Sequence, residues 1–219
     1  MISMKIIDVR TVGPDSELVA LTLSGGDEIL CSYTEYISLN LPASGELTEE
    51  ESLLLQRSAR VIALKRAALR KLTARPMSRK ELKTMLLRPH KNKPAPAADE
   101  VESALNLLVT AGYVNDEEFA AFWVDQRDRF RPRSSRMLRN ELAGKGISRE
   151  IIDEVAQQGS EIERAVYAGA SASRTAKRRF GEDRKAFNAH VGAALQRRGF
   201  TFSVIRQALD RLWEELSAE

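Results

Sequence analysis

One short pattern occurs twice in this chain, and it sets what the chain can fold into. Leu142-Ala143-Gly144-Lys145-Gly146-Ile147 and Leu195-Gln196-Arg197-Arg198-Gly199-Phe200 share a leucine, a basic-glycine pair and a closing apolar residue, all 53 positions apart. A leucine-bearing helix that stops at glycine needs the left-handed backbone that glycine accepts. Ser148 and Thr201 then stand as N-caps of a further helix, with Ile152 and Ile205 facing inward. A looser copy, Ser78-Arg79-Lys80-Glu81-Leu82 with Leu86, lies 56 residues before Leu138. Three copies of a helical unit predict a repeat array in which each unit is too small to cover its apolar face well. Leu82, Leu138 and Val191 are the expected equivalent buried sites.

The central copy is the clearest. Gly112 ends one helix and Asn115 caps the next, with Glu118 three residues on, a variant of the capping box. Phe119 and Trp123 share a helix face, with Phe130 seven further along. Arg131-Pro132 breaks that helix. A second helix turns Leu138 and Leu142 inward and ends at Gly144 and Gly146. A third carries Ile151, Ile152 and Val155. Thr48 with Glu51, Ser78 with Glu81 and Ser160 with Glu163 open further helices, and Pro76 and Gly181 end two of them. Leu55, Ile62, Leu69 and Leu72 form the expected buried stripe of the helix from Thr48, and His90–Ala98 reads as a flexible connection.

The first fifty residues differ in kind. Lys5–Val9, Leu18–Leu23 and Glu28–Tyr33 are rich in strand formers, and turns are predicted at Gly13-Pro14-Asp15 and Ser24-Gly25-Gly26-Asp27. A three-stranded meander and a short helix over Thr34–Asn40 follow. This head holds two basic and nine acidic residues, −7, whereas the rest holds 32 basic and 22 acidic, +10. Such asymmetry predicts two parts with different partners, the basic body attracting polyanions or an acidic protein surface.

The string from Gly112 to Ala120, the following Arg127 and the two leucine-to-glycine strings resemble the RecX family, over Glu50 to the C-terminus. Where many relatives have glycine after the arginine-rich helix, this chain has Arg131-Pro132-Arg133-Ser134-Ser135, and its first copy ends in Arg88-Pro89-His90 without the basic-glycine pair. The resemblance implies a regulator of bacterial RecA recombinase. It would bind along the groove of the RecA–single-strand DNA filament and suppress its ATPase and strand exchange, in recombination, DNA repair and the SOS response. It also implies that the N-terminal module matches one in longer relatives.

No catalytic constellation accompanies these motifs. His90 and His190 lie in unrelated contexts, and Cys31 sits on a predicted strand with no evident base. The spacing for a zinc site or a phosphate loop is missing. One cysteine makes no internal disulfide, no leader pattern is evident, and no apolar run approaches the roughly 20 residues of a membrane span. The expectation is a cytoplasmic, non-enzymatic monomer without cofactor or membrane contact. Basic residues are the remaining signal. Arg127, Arg129, Arg131, Arg133, Arg136 and Arg139 fall within thirteen residues, and Arg174, Lys177, Arg178 and Arg179 repeat the theme. Arginine forks suit phosphate or carboxylate. Candidate partner-binding residues, toward the RecA filament or DNA, are Arg127, Arg131, Arg133, Arg136, Arg139, Lys145, Arg178, Arg197 and Arg198. Phe119, Phe122 and Trp123 read as core. Single-stranded DNA is expected to bind weakly or within the filament.

The expected architecture is therefore mainly α: three tandem three-helix repeats in an elongated curved array (about 48–111, 112–158 and 159–219), with a small β-rich N-terminal module over 1–47. The alternative is a stand-alone helix-turn-helix-like nucleic-acid-binding protein, although no unit shows an evident recognition helix.

Overall fold

A computed structural model describes residues 4–13, 17–89, 94–156 and 159–217. Pro14 and Asp15 of the first predicted turn, and residues 90–93 of the His90–Ala98 connection, lie outside the described residues. The chain divides into two compact units, Met1–Val114 and Asn115–Glu219.

The first unit opens with β1 (Lys5–Val12), β2 (Leu18–Leu23), β3 (Glu28–Ser32), α1 (Tyr33–Ser38) and β4 (Gly45–Glu46). The sheet is antiparallel, in the order β3-β2-β1-β4, with Val9 opposite Leu21 and Val19 opposite Cys31. Three strands follow the predicted meander. The fourth is two residues long, too short for any alternation to announce it. Ile6, Val19, Leu21, Leu23 and Cys31 form the core of this part, and Leu55 of α2 (Glu49–Leu72) closes it. Burial pushes the Cys31 thiol up to about 11, so the cysteine is an inert core residue.

The capping box of Thr48 and Glu51 opens α2. Glu51 Oε2 accepts from the Thr48 N–H at 2.7 Å, and its own N–H donates to Thr48 Oγ1 at 3.2 Å. This 24-residue helix, about 36 Å long, serves two cores. Leu55 meets the sheet, whereas Ala68 packs with Leu82 and Leu86 of α3 (Arg79–Leu86) and with Val101, Leu105 and Leu108 of α4 (Ala98–Thr110). Of the predicted stripe, Leu55 and Ile62 are buried, and Leu69 and Leu72 are half-buried.

The second unit contains two three-helix sets. α5 (Asp116–Phe130), α6 (Ser135–Gly144) and α7 (Arg149–Ala156) enclose Phe119, Val124, Leu138, Leu142, Ile147, Ile152 and Val155. α8 (Glu161–Phe180), α9 (Arg184–Arg197) and α10 (Phe202–Ser217) enclose Phe187, Val191, Leu195, Phe200, Ile205, Leu209 and Leu212. Leu82, Leu138 and Val191 are all fully buried, as the repeat predicts. Each set closes a cluster of its own.

The repeated string is a repeated helix end. Gly146 and Gly199 have φ +83° and +85°. The Ile147 N–H reaches the Leu142 carbonyl at 3.1 Å, and the Phe200 N–H reaches that of Leu195 at 3.4 Å, the long bond of a Schellman cap. Gly144 is helical, so Gly146 alone makes the turn. The 53-residue offset fails at the helix starts. α6 is capped by Ser134, whereas α9 is capped by Asp183 and gains one turn, which places Phe187 in the core.

Candidate partner-binding surface

The second unit carries every predicted site residue, and local packing divides them into two groups. Where α5 meets α6, Glu141 gathers three donors. Arg127 Nε lies 2.7 Å and Trp123 Nε1 2.9 Å from Oε2, and Arg133 Nε lies 3.1 Å from Oε1. The Glu141 side chain is only 19% exposed. The Arg127 guanidinium also stands 4.5 Å from the Trp123 ring centroid, and Lys145 Nζ stands 3.9 Å from it. Trp123 in turn stacks on Phe119 at 6.0 Å. These contacts pin α5, α6 and the turn after α6 together by charge-assisted hydrogen bonds and cation–π attraction.

Other basic groups join the two repeats of this unit. Arg164, 7% exposed, lies 3.0 Å from Asp128, and its Nη1 lies 3.4 Å from Ser135 Oγ. Across the same joint the Arg198 carbonyl accepts the Ser134 N–H at 3.1 Å, while the Arg198 Nη1 donates within its own set to the Ala168 carbonyl. Arg139 of α6 lies 3.4 Å from Asp153 of α7, a pair inside the first set.

Arg127, Arg133 and Arg198 thus take part in the packing. Glu141 stands on α6, well along the chain from Arg127 and Arg133, so a linear charge run carries no mark of the pairing. Arg131, Arg136, Arg178 and Arg197 are exposed and make no ion pair among the described residues. Asp125, Asp128 and Glu141 are occupied by Arg129, Arg164 and the Arg127–Arg133 pair. Two aromatic expectations also change. Phe122 is exposed, and Phe130, at the far end of the Phe119–Trp123 face, is 72% exposed because α5 outruns the core there.

Among the described residues no group of three or more His, Cys, Asp or Glu is placed to hold a metal, and no helix is long and apolar enough to cross a membrane.

The helices α5 to α7 coincide with a family match. Residues 115–155 fit the model described as RecX, second three-helix domain. The regulatory protein RecX of Chlorobium limicola is 30% identical over 147 residues, covering 67% of this chain and 87% of that protein. The chain belongs to the RecX family. The regulatory protein RecX of Mycobacterium marinum is 30% identical over 184 residues, 84% of this chain and 95% of its own. That of Corynebacterium efficiens is 39% identical over 129 residues, 54% of this chain, and the match spans 60% of the Corynebacterium protein. A solved crystal structure of a regulatory protein RecX superposes with a TM-score of 0.71 at 20% identity, covering 94% of this chain and 99% of that one, so the fold is shared. The RecX crystal structure from Lactobacillus salivarius gives 0.57 over 70% of this chain.

Proposed function

We propose that this chain is a non-enzymatic regulator that binds the RecA–single-strand DNA filament and lowers its ATPase and strand-exchange activity. The observation that carries the reading is relatedness along most of the chain to proteins named regulatory protein RecX. The geometry supplies a means. Arg131, Arg136 and Arg197 lie exposed on one compact unit, with no ion pair among the described residues, available as forks for carboxylates or phosphates. Because Asp125, Asp128 and Glu141 pair with neighbouring arginines, the charge around α5 and α6 is mixed and locally fixed, which suits a protein groove better than a bare phosphate backbone. In this reading the protein acts in the cytoplasm, as a monomer. The β-rich module over 1–47 tunes, and does not supply, the binding of the repeats over 48–219.

The test is RecA ATPase on single-stranded DNA, with and without the protein. Inhibition at substoichiometric protein supports the reading. An unchanged ATPase, with tight binding to duplex DNA instead, would replace it with the stand-alone helix-turn-helix-like DNA binder.

A further inference from the structure

The groove between the last two helices of each repeat is closed in two copies and open in the third. The residue after each of the equivalent buried positions Leu82, Leu138 and Val191 is Lys83, Arg139 or Gly192. Across from it on the next helix, one place after the buried Val101, Ile152 or Ile205, stands Glu102, Asp153 or Arg206. Between α3 and α4, Lys83 pairs with Glu102, which Arg79 also reaches at 2.7 Å. Between α6 and α7, Arg139 lies 3.4 Å and Arg149 3.6 Å from Asp153. Between α9 and α10 neither charge remains in its place. Glycine replaces the cation, arginine replaces the carboxylate, and the counterpart of Arg149 is Phe202, 81% exposed. What is left is a hollow of about 620 Å³, lined by Ala189, Gly192, Ala193, Ile205 and Leu209 with Phe202 and Arg206. Ala189 and Ala193 are exposed, so the hollow is open along α9. Arg206 is exposed and makes no ion pair among the described residues.

The fold does not ask for this opening. Gly192 sits inside α9, where glycine weakens a helix. A Cβ there would meet Ile205 at 3.8 Å and Leu209 at 3.9 Å, ordinary contact, so packing leaves room for a larger residue. We infer that the α9–α10 groove docks a segment of a partner protein that brings what the other two grooves build in. A large apolar side chain of the segment lies over Gly192 against Ile205, Leu209 and the Phe202 ring. A carboxylate within a turn of it pairs with Arg206, standing where Lys83 and Arg139 have Glu102 and Asp153. Small residues that let an apolar anchor sink in, an aromatic ring at the rim and one arginine beside them are the make-up of an interface centre. A phosphate backbone would use Arg206 but nothing along the apolar floor. The groove differs in chemistry and in residues from the exposed arginines of the proposed filament contact. The inference rests on the filament reading for the partner's identity, which makes the segment part of a RecA protomer.

The experiment is co-sedimentation of the full chain with RecA-coated single-stranded DNA, beside thermal melting of each variant. Gly192→Leu fills the hollow and should weaken binding about ten- to thirtyfold, while the melting temperature holds or rises. Gly192→Lys combined with Arg206→Glu rebuilds the closure seen between α3 and α4 and should weaken binding as much. Arg206→Gln should cost about two- to fivefold, less at high salt, and Arg206→Lys should recover most of that loss. If the parent binds the filament and both the filled and the rebuilt grooves bind it equally well, the inference falls while the filament reading stands. No filament binding by the parent removes the filament reading and the partner assigned here with it. A concentration-dependent dimer in sedimentation velocity, abolished by Gly192→Leu, would make a second copy of the chain the occupant and overturn the inference as well.

Discussion

Gly199 lies so close to the α6 cap that a Cβ there would stand 2.6 Å from Met137 Cγ and 2.7 Å from Ser134 Oγ. Its φ of +85° adds the ordinary left-handed penalty. Gly112, at φ +74°, has nothing within 4 Å of the same built atom. Gly112→Ala should therefore cost about 1–2 kcal/mol from backbone strain alone. Gly199→Ala should cost a further 1–3 kcal/mol or so from the overlap, because the capping Ser134 must shift. Thermal denaturation of the two variants against the parent measures the gap, and equal losses would mean that the α9 turn does not press on α6.

Truncation of Leu142, fully buried beneath α6, should cost roughly 2–5 kcal/mol as Leu142→Ala. Leu195→Ala, its counterpart 53 residues on, should fall in the same range. Urea unfolding monitored by tryptophan emission reads both. A cost below about 1 kcal/mol for either would show that the two helix ends are not equivalent in packing.

The fold was legible where the signal is local. Caps at Thr48, Ser78, Asn115 and Ser160 precede their helices, and a glycine that must turn left-handed is visible in the sequence as Gly146 or Gly199. The candidate surface was legible only in part. A run of arginines reads as one basic patch, yet Glu141 withdraws Arg127 and Arg133 from it, and a backbone carbonyl withdraws Arg198. Phe130 shares the periodicity of a core residue, and only the length of α5 beyond its partners exposes it.

Acid should loosen the first unit before neutral conditions do. The Glu51 carboxyl is held low by the backbone and then the side-chain hydrogen bond of Thr48, and Glu102 by hydrogen bonds from Lys83 and then Arg79. A depressed folded value gives stability that is complete above the unfolded value near 4.3 and is lost as pH falls through the folded one. Amide exchange in the first turn of α2, and where α3 meets α4, should therefore stay flat from pH 7 to about 5 and accelerate, beyond its intrinsic trend, below about 4. Glu51→Gln should abolish the acid-specific change at α2 alone.

A chain beginning at Gly45 loses β1 to β3 and uncovers Leu55, which the sheet otherwise buries completely. The first turns of α2 should then exchange rapidly, while the melting of the Asn115–Glu219 unit, with its own cores, stays where it was. If the module only tunes binding, inhibition of RecA ATPase persists in this shortened chain, with Leu55→Ser added to keep it from aggregating. Complete loss of inhibition would assign part of the contact to the sheet.

The division of the arginines into packed and free sets gives a last test. Arg127→Ala takes away the charge-assisted bond to a carboxylate only 19% exposed and the cation over Trp123, and should cost about 1–3 kcal/mol. Arg133→Ala leaves the opposite oxygen of Glu141 without its partner and should cost about 1 kcal/mol. Arg131→Gln, Arg136→Gln and Arg197→Gln, at exposed unpaired sites, should each change stability by less than about 0.5 kcal/mol. Filament binding should follow the opposite order. The exposed triple variant should lose affinity for the RecA-coated strand at unchanged melting temperature, and the loss should shrink as salt screens it. Arg127→Ala should keep its filament affinity at temperatures where it is folded. If Arg127→Ala loses binding while fully folded and the triple variant does not, the contact lies on the Glu141 side of α5, and the free arginines are only solvated.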